Sequence, residues 1–407
     1  MRNVAMLGGG MTRFAKYEDR GLKDLSHEAV NEALKAAGID KSALNIAIVG
    51  NAAAGLVTGQ ECIRAQVILR SMGIDKIPMV NTENACASSS TALQVAWLYV
   101  ASGMYDVALA LGVEKMYTPD KGKAMATFSA GVDLEELRAI MEQLKPPSEQ
   151  KAGAESGAGK SRSLFMDIYA AGARAHMAKY GTTKEQYAKI ASKNHNNGSL
   201  NPHAQYRERY TVAEILASPL IAEPLTRLMC APIGDGAAAA VLASEDVVRR
   251  YTSDPVWIRG TALVSGSDTR STDDDGTGGR AAHEALKMAG MAIDDINVME
   301  VHDASAPAEL LLYEDLGLCK PGEGGRLIDE GVTEIGGRVP VNTSGGLLAK
   351  GHPVGATGCA QAFEIWLQLK GLAGERQVKG AKTGMTHNGG GMVRGEAAAT
   401  TVHVFSV

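Results

Sequence analysis

Aromatic residues make up only 5% of this 407-residue chain, cysteines number five, and there is no excess of positive charge. Each shortage removes a class of function. A formal charge of −5 argues against a nucleic-acid partner, because binding to a phosphate backbone rests on clustered lysine and arginine. Few aromatics also leave little surface on which bases could stack. Cys62, Cys86, Cys230, Cys319 and Cys359 include no C-x-x-C pair, so the sequence indicates no metal site and the thiols read as reduced. No apolar run approaches the length needed to cross a bilayer, so no membrane partner is expected. The first ten residues are too short and too glycine-broken for a secretory leader and read as a strand, which makes the expected location cytoplasmic.

What the chain does have is glycine, 47 of them, in a balance of 45% hydrophobic and 21% charged residues. That composition suits a tightly turned α/β protein larger than one compact core. Ala-Leu-Lys-Ala-Ala-Gly at 33–38 returns as Ala-Leu-Lys-Met-Ala-Gly at 285–290, a constant offset of 252 that carries Asn51-Ala52 onto Asp303-Ala304. Each copy reads as an amphipathic helix closed by glycine, then an apolar strand with polar residues at its C-terminal end, where ligands sit in open α/β sheets. A second echo sets Val80-Asn81-Thr82 against Val341-Asn342-Thr343. The expected organisation is an N-terminal half over 1–250 and a C-terminal half over 251–407. The first half would include an inserted region at about 117–230. Within that insertion, Lys145 to Ser161 is polar and aperiodic and reads as a mobile surface loop. Helical patterns at Asp167–Tyr180 and Lys184–Asn194 read as a cover over a substrate cleft, and Gly234–Leu242 as a buried strand.

Two motifs carry chemistry. Cys86 lies in Asn-Ala-Cys-Ala-Ser-Ser-Ser, just ahead of a segment apolar on most faces, so its sulfur is expected at the N-terminus of a buried helix. Free amides and the helix dipole there would lower a thiol from about 8.5 toward 7, favouring a thiolate. An arbitrary cysteine is more often a small buried hydrophobe, the reading kept for the other four. The second motif, Gly351-His352-Pro353-Val354-Gly355-Ala356-Thr357-Gly358, puts an imidazole in a stiff, glycine-lined turn. His302, in Val-His-Asp-Ala at 301–304, and His387, in Thr-His-Asn-Gly-Gly-Gly-Met at 386–392, complete the set.

With these motifs the chain resembles the thiolase superfamily, and within it the sterol-carrier-protein-x branch, over nearly its whole length. The resemblance implies a five-layer α/β fold and an acyltransferase that cleaves a 3-oxoacyl-CoA through an acyl-cysteine at Cys86. Coenzyme A would serve as co-substrate, with no permanently bound cofactor. It further implies that His352 takes the proton from Cys86 and that His302, through a held water, joins His352 in an oxyanion hole for the enolate. A second hole would come from a glycine amide of the C-terminal loop, Gly389, with the amide of Cys86. Oligomers, dimers or larger, are the rule in this family, and several members of the branch work with a small OB-fold, zinc-ribbon partner.

The pattern also breaks. Thiolases carry a second cysteine for proton transfer at the carbon, and its two known places are here His387 and Ala304. Proton transfer then falls to His387, His352 or a water, and Ala304 leaves room for a substituent on the substrate's α-carbon, as in benzoylsuccinyl-CoA. Three rival readings remain: a ketoacyl-synthase-like condensation using Cys86, His302 and His352; an aldolase, which needs no thiol; and a non-catalytic acyl-CoA-binding subunit, for which the missing thiol is the best argument.

Overall fold

The computed structural model describes residues 1–136, 163–268 and 276–407, so the loop expected at 145–161 lies outside the described residues. Strand β1 (Val4–Met11) is buried on both faces and leads to helix α1 (Leu22–Ala37), whose apolar stripe of Leu25, Ala29, Val30 and Ala33 packs onto the sheet. Strands β2 (Ile46–Gly50) and β3 (Met79–Thr82), helix α2 (Ser88–Ala101) and β4 (Val107–Glu114) follow. Helices α3 (Leu164–Tyr180) and α4 (Lys184–Ser199) and the hairpin β5 (Leu220–Ala222) and β6 (Leu225–Thr226) precede the fully buried β7 (Gly236–Ser244). The chain then repeats the pattern with β8 (Val256–Ser265), α5 (Thr277–Ala289), β9 (Val298–Glu300), α6 (Ala306–Asp315) and α7 (Thr357–Lys370). It closes with β10 (Thr383–Gly390) and β11 (Ala399–Ser406).

Nine of these strands form one sheet in the order β3-β2-β4-β7-β1-β8-β11-β10-β9. Alternate residues of β1 serve different cores, as the strand's period of two requires. Ala5 and Leu7 face α1, whereas Val4 and Met6 face a central core shared with Trp97 of α2 and Trp366 of α7. Ala281 and Ala285 of α5 close the outer face of the other half. Each half of this one sheet turns one face to an outer helix and the other to the paired central helices, so the succession is helix, half-sheet, paired helices, half-sheet, helix, the expected five layers.

The repeat is real and reaches further than its sequence signal. Helices α1 and α5 both end on a left-handed glycine, Gly38 and Gly290, a conformation in which a β-carbon is strained. At the same offset of 252, Gly8 in β1 and Gly260 in β8 pack bare backbone against Ala33 and Ala37 in one copy, and against Ala285 and Ala289 in the other. Ala5 and Trp257, equivalent at that offset, lie directly opposite each other where β1 and β8 pair antiparallel. A local twofold thus runs through the middle of the sheet. The second echo fits with a slip of one residue, since Met79 pairs beside Ala47 while Val341 bridges Met299.

The expected cover is half right. The first turns of α3 line the cleft, but α4 is not a cover: Tyr187, Ala188, Ile190, Ala191 and even Lys193 and Asn194 are buried. Periodicity could not show this, because its buried polar groups are satisfied by partners distant in sequence. Lys193 Nζ lies 2.6 Å from Glu309, and Asn194 Nδ2 donates to Asp303 and Glu309. No helix among the described residues is long and apolar enough to cross a membrane.

Candidate active site

Cys86 sits in a 3-10 turn, Ala85–Ala87, immediately before α2. Ala85 has φ +46°, a left-handed conformation that costs a non-glycine residue on the order of 1 kcal/mol and that turns the next side chain outward. The asparagine and serines of the motif hold this bend. The backbone N–H of Asn84 donates to Ser88 Oγ at 3.0 Å, Ser88 Oγ donates to the Ala85 carbonyl at 2.6 Å, and Asn84 Nδ2 donates to Thr91 Oγ1 at 2.9 Å. Cys359, by contrast, is buried inside α7 against Ser89, as expected for an inert thiol.

The imidazole of His352 meets the thiol, with Nε2 3.2 Å from Cys86 Sγ. Its other nitrogen, Nδ1, is 2.7 Å from Thr357 Oγ1, and that hydroxyl lies 3.1 Å from the Pro353 carbonyl, which can only accept. The threonine proton is thereby committed to the carbonyl, so Nδ1 must carry a hydrogen and Nε2 is left as an acceptor facing the S–H. Thr357, seven residues into a motif singled out for its histidine, was not recognised from sequence.

Electrostatics overturn one expectation. Burial pushes the Cys86 thiol up to about 12, against hydrogen bonds from the amides of Gly391 and of Cys86 itself that act to lower it, and the nearby Glu114 carboxylate raises it further. Desolvation outweighs the helix N-terminus, so the resting group is a neutral thiol. His352 is held well below its ordinary value by burial, and further by His302 and Lys350. The pair is thus neutral thiol and neutral imidazole, and the proton moves only as the sulfur attacks. His302 and His387, lowered by burial to about 4 and about 3, are also uncharged at neutral pH.

His302 stands edge-on to His352, ring centroids 5.1 Å apart. Cys86, His302 and His352 present three ligand-type atoms within 4.8 Å of one another, the place where an ion would compete with chemistry. Nδ1 of His302 and of His387 are buried without a partner. Both imidazoles line a cavity of about 790 Å³ together with Cys86, His352, Ala304 and Gly389, so every predicted site residue reaches one space. Gly278 makes room for His387, since a methyl group there would lie 3.1 Å from Nε2.

The amide of Gly391, φ +62°, acts on the sulfur to lower its pKa, whereas Gly389 lies within β10 opposite Thr400 and lines the cavity. Gly390, the last residue of β10, must be bare because a β-carbon there would collide with the Asn84 carbonyl oxygen.

Acidic residues hold the loops. Asp303 accepts from the amides of Leu347, at 2.7 Å, and Leu348, at 3.4 Å, and so orients the turn leading to His352. Glu300 accepts from Ser344 and Lys350 of the same segment. Glu114, fully buried at the end of β4, accepts from the amides of Ala52, Ala53 and Gly355 and from Asn51 Nδ2. Sequence reading missed Glu114 because nothing local marks it: its partners lie 62 residues before it and 241 after.

A thiol paired with a tautomer-fixed imidazole at the foot of a largely apolar cavity is an arrangement suited to acyl transfer. Residues 4–246 match the family described as thiolase, N-terminal domain, and residues 269–404 the thiolase C-terminal domain-like family. The chain belongs to the thiolase family and is an acyltransferase of that type. It is 42% identical to an acetyl-CoA acetyltransferase of Methanothermobacter thermautotrophicus over the full length of both chains. With sterol carrier protein 2 of Gallus gallus it shares 38% identity over 95% of this chain and 69% of the relative. Among solved structures, the Ltp2-ChsH2(DUF35) aldolase matches 100% of this chain and 98% of its own with a TM-score of 0.80 at 24% identity. Human mitochondrial 3-ketoacyl-CoA thiolase in complex with CoA matches 100% and 98% with a TM-score of 0.69 at 19% identity.

Proposed function

We propose that the protein cleaves a 3-oxoacyl-CoA by thiolysis through an acyl-Cys86 intermediate, giving two acyl-CoA products. The observation that carries this is the 3.2 Å contact between Cys86 Sγ and an imidazole nitrogen left as a pure acceptor. Sulfur attacks the 3-oxo carbon while its proton passes to His352 Nε2. The tetrahedral oxyanion forms beside the amides of Gly391 and Cys86, donors whose loss in comparable sites costs about 2.7–4 kcal/mol. The carbon–carbon bond then breaks, and the enolate oxygen is held on the side of His302 and His352. Coenzyme A finally takes the acyl group from Cys86.

Ala304 and Ala308 on one wall, with Leu312 and Met166 beyond, leave apolar space that would take an α-substituted acyl group such as benzoylsuccinyl. A second reading, transfer of an unbranched acetyl unit, is favoured by the name of the 42% identical relative. Rates on acetoacetyl-CoA and on an α-substituted 3-oxoacyl-CoA separate the two. An accessory OB-fold, zinc-ribbon subunit and a homo-oligomer belong to the same proposal. The name of one fold neighbour, which pairs an aldolase with a DUF35 protein, points the same way.

The test is mass spectrometry of the intact protein after exposure to a 3-oxoacyl-CoA. Wild type should gain one acyl mass on Cys86, and Cys86→Ala should gain none and lose turnover with an unchanged melting temperature. Normal turnover by Cys86→Ala would remove the assignment. Absence of acyl mass on the wild type would leave the non-catalytic reading standing, and carbon dioxide release from a malonyl thioester the condensing one.

A further inference from the structure

The proposed cleavage leaves an enolate carbon that must gain a proton, and no second thiol lines the cavity. The other groups there that could give one are mostly engaged. Glu83 accepts from the Ala85 amide, Asp315 accepts from the amides of Gly276 and Gly279, and Glu396 accepts from Ser267 and pairs with Arg280. His352 is committed to Cys86 and Thr357. His302 and His387 are neutral imidazoles, so neither has an imidazolium proton to give at neutral pH.

Tyr169 stands apart. It lies on the second turn of α3, half-buried, and lines the cavity with Cys86, Ala304 and His387. It makes no hydrogen bond to any described residue, which is unusual for a tyrosine so placed. Its ionisable neighbours are the Cys86 thiol and the Asp303 carboxyl group. Burial pushes its phenol upward, and any negative charge that develops on those neighbours acts in the same direction, so the hydroxyl keeps its proton until a stronger base appears. An enolate is such a base, and a buried thiolate does not compete before it forms.

We infer that Tyr169 is the acid that protonates the leaving carbon, taking over the task of the absent cysteine. The inference rests on the thiolysis reading. When the bond between the α-carbon and the 3-oxo carbon breaks, its electron pair goes to the enolate, and the Tyr169 O–H proton passes to the α-carbon as the first acyl-CoA leaves. The resulting phenolate takes the proton of the incoming coenzyme A thiol. The coenzyme A thiolate so formed attacks the acyl-Cys86 carbonyl, and the released Cys86 sulfur recovers its proton from His352. Protons and electron pairs balance, and no further reactant is needed.

The test has two readouts: acyl mass on Cys86 after exposure to p-nitrophenyl acetate, whose leaving group departs without a proton from Tyr169, and deuterium at the α-carbon of acetyl-CoA in D2O, which calls on Tyr169 at carbon. Tyr169→Phe should be acylated at a rate within a few-fold of wild type while deuterium incorporation falls about 100-fold or more, the usual worth of a general acid or base. Acylation of the variant also reports that its site is folded. His387→Gln should keep exchange within tenfold of wild type. Wild-type exchange in Tyr169→Phe, loss of acylation together with exchange in that variant, or loss of exchange confined to His387→Gln would each overturn the inference. Absence of acyl mass on the wild type would overturn it along with the reading beneath it.

Discussion

The two copies of the repeated unit meet at the cleft with the same parts and opposite loading. In each, a 3-10 turn precedes a helix of 14 residues: Ala85–Ala87 before α2 and Val354–Ala356 before α7. The middle residue is Cys86 in one and Gly355 in the other. In each, a strand end abuts the other copy's turn. Glu114 and Gly390 hold the same place, six residues beyond Ala108 and Gly384, which pair with the equivalent Ile46 and Val298. Glu114 reaches across to the Gly355 amide at 2.9 Å, whereas Gly390 brings bare backbone against Asn84 and Ala87. One turn is therefore clamped by a carboxylate that takes up its central amide, and the other is approached by glycine, leaving its central amide beside the sulfur. A symmetric scaffold becomes a site because one strand end fills its space and the other leaves it empty.

Filling the empty side should have the largest effect. Gly390→Ala forces the Cys86 turn away from β10, and steady-state turnover is expected to fall on the order of 1,000-fold, with a loss of about 1–3 kcal/mol in chemical denaturation from overpacking. Activity within tenfold of wild type would mean that the close approach positions nothing. A smaller loss is expected on the clamped side. Thr357→Val keeps the shape but frees His352 to place its proton on Nε2, where it can no longer accept from the thiol. Turnover should fall roughly 10–100-fold, since tautomer control is a part of general-base catalysis, and Thr357→Ser should restore most of it. Equal loss in valine and serine variants would point to packing of the threonine methyl group instead of its hydroxyl.

Legibility in the sequence followed locality. Cys86, His302, His352 and His387 could be found because each is embedded in a short motif, and the repeat because Ala-Leu-Lys-x-Ala-Gly is contiguous in both copies. The earlier reach of the repeat was hidden, because its only trace is a glycine at 8 and at 260 whose meaning is a contact with a helix 25 or more residues away. The pairing of α2 with α7 was equally hidden, although Trp97 and Trp366 occupy matching positions in them. Glu114 and Lys193 act through partners that spacing does not reveal, whereas Thr357 stands inside the quoted motif and only the folded turn shows its hydroxyl against the imidazole. The thiolate was misjudged for a different reason: a helix terminus is visible in sequence, but the desolvation that opposes it depends on everything packed around the turn.

The subtlest test concerns that desolvation. With Cys86 raised to about 12 and His352 unable to hold a proton at neutral pH, alkylation by iodoacetamide should accelerate about tenfold per pH unit from pH 7 to 10, following the thiolate fraction, without levelling off. A plateau near pH 7 would instead reveal a thiolate–imidazolium pair and restore the view that the helix terminus dominates. Glu114 sharpens the comparison, because its charge raises the thiol while its oxygens clamp the opposite turn. Glu114→Gln removes the charge and keeps the size. Alkylation at a fixed pH of 8 should then rise roughly a few-fold, the scale of a Coulomb interaction at the effective dielectric of a protein interior. An unchanged rate would confine Glu114 to holding loops and leave burial as the sole reason the sulfur stays protonated.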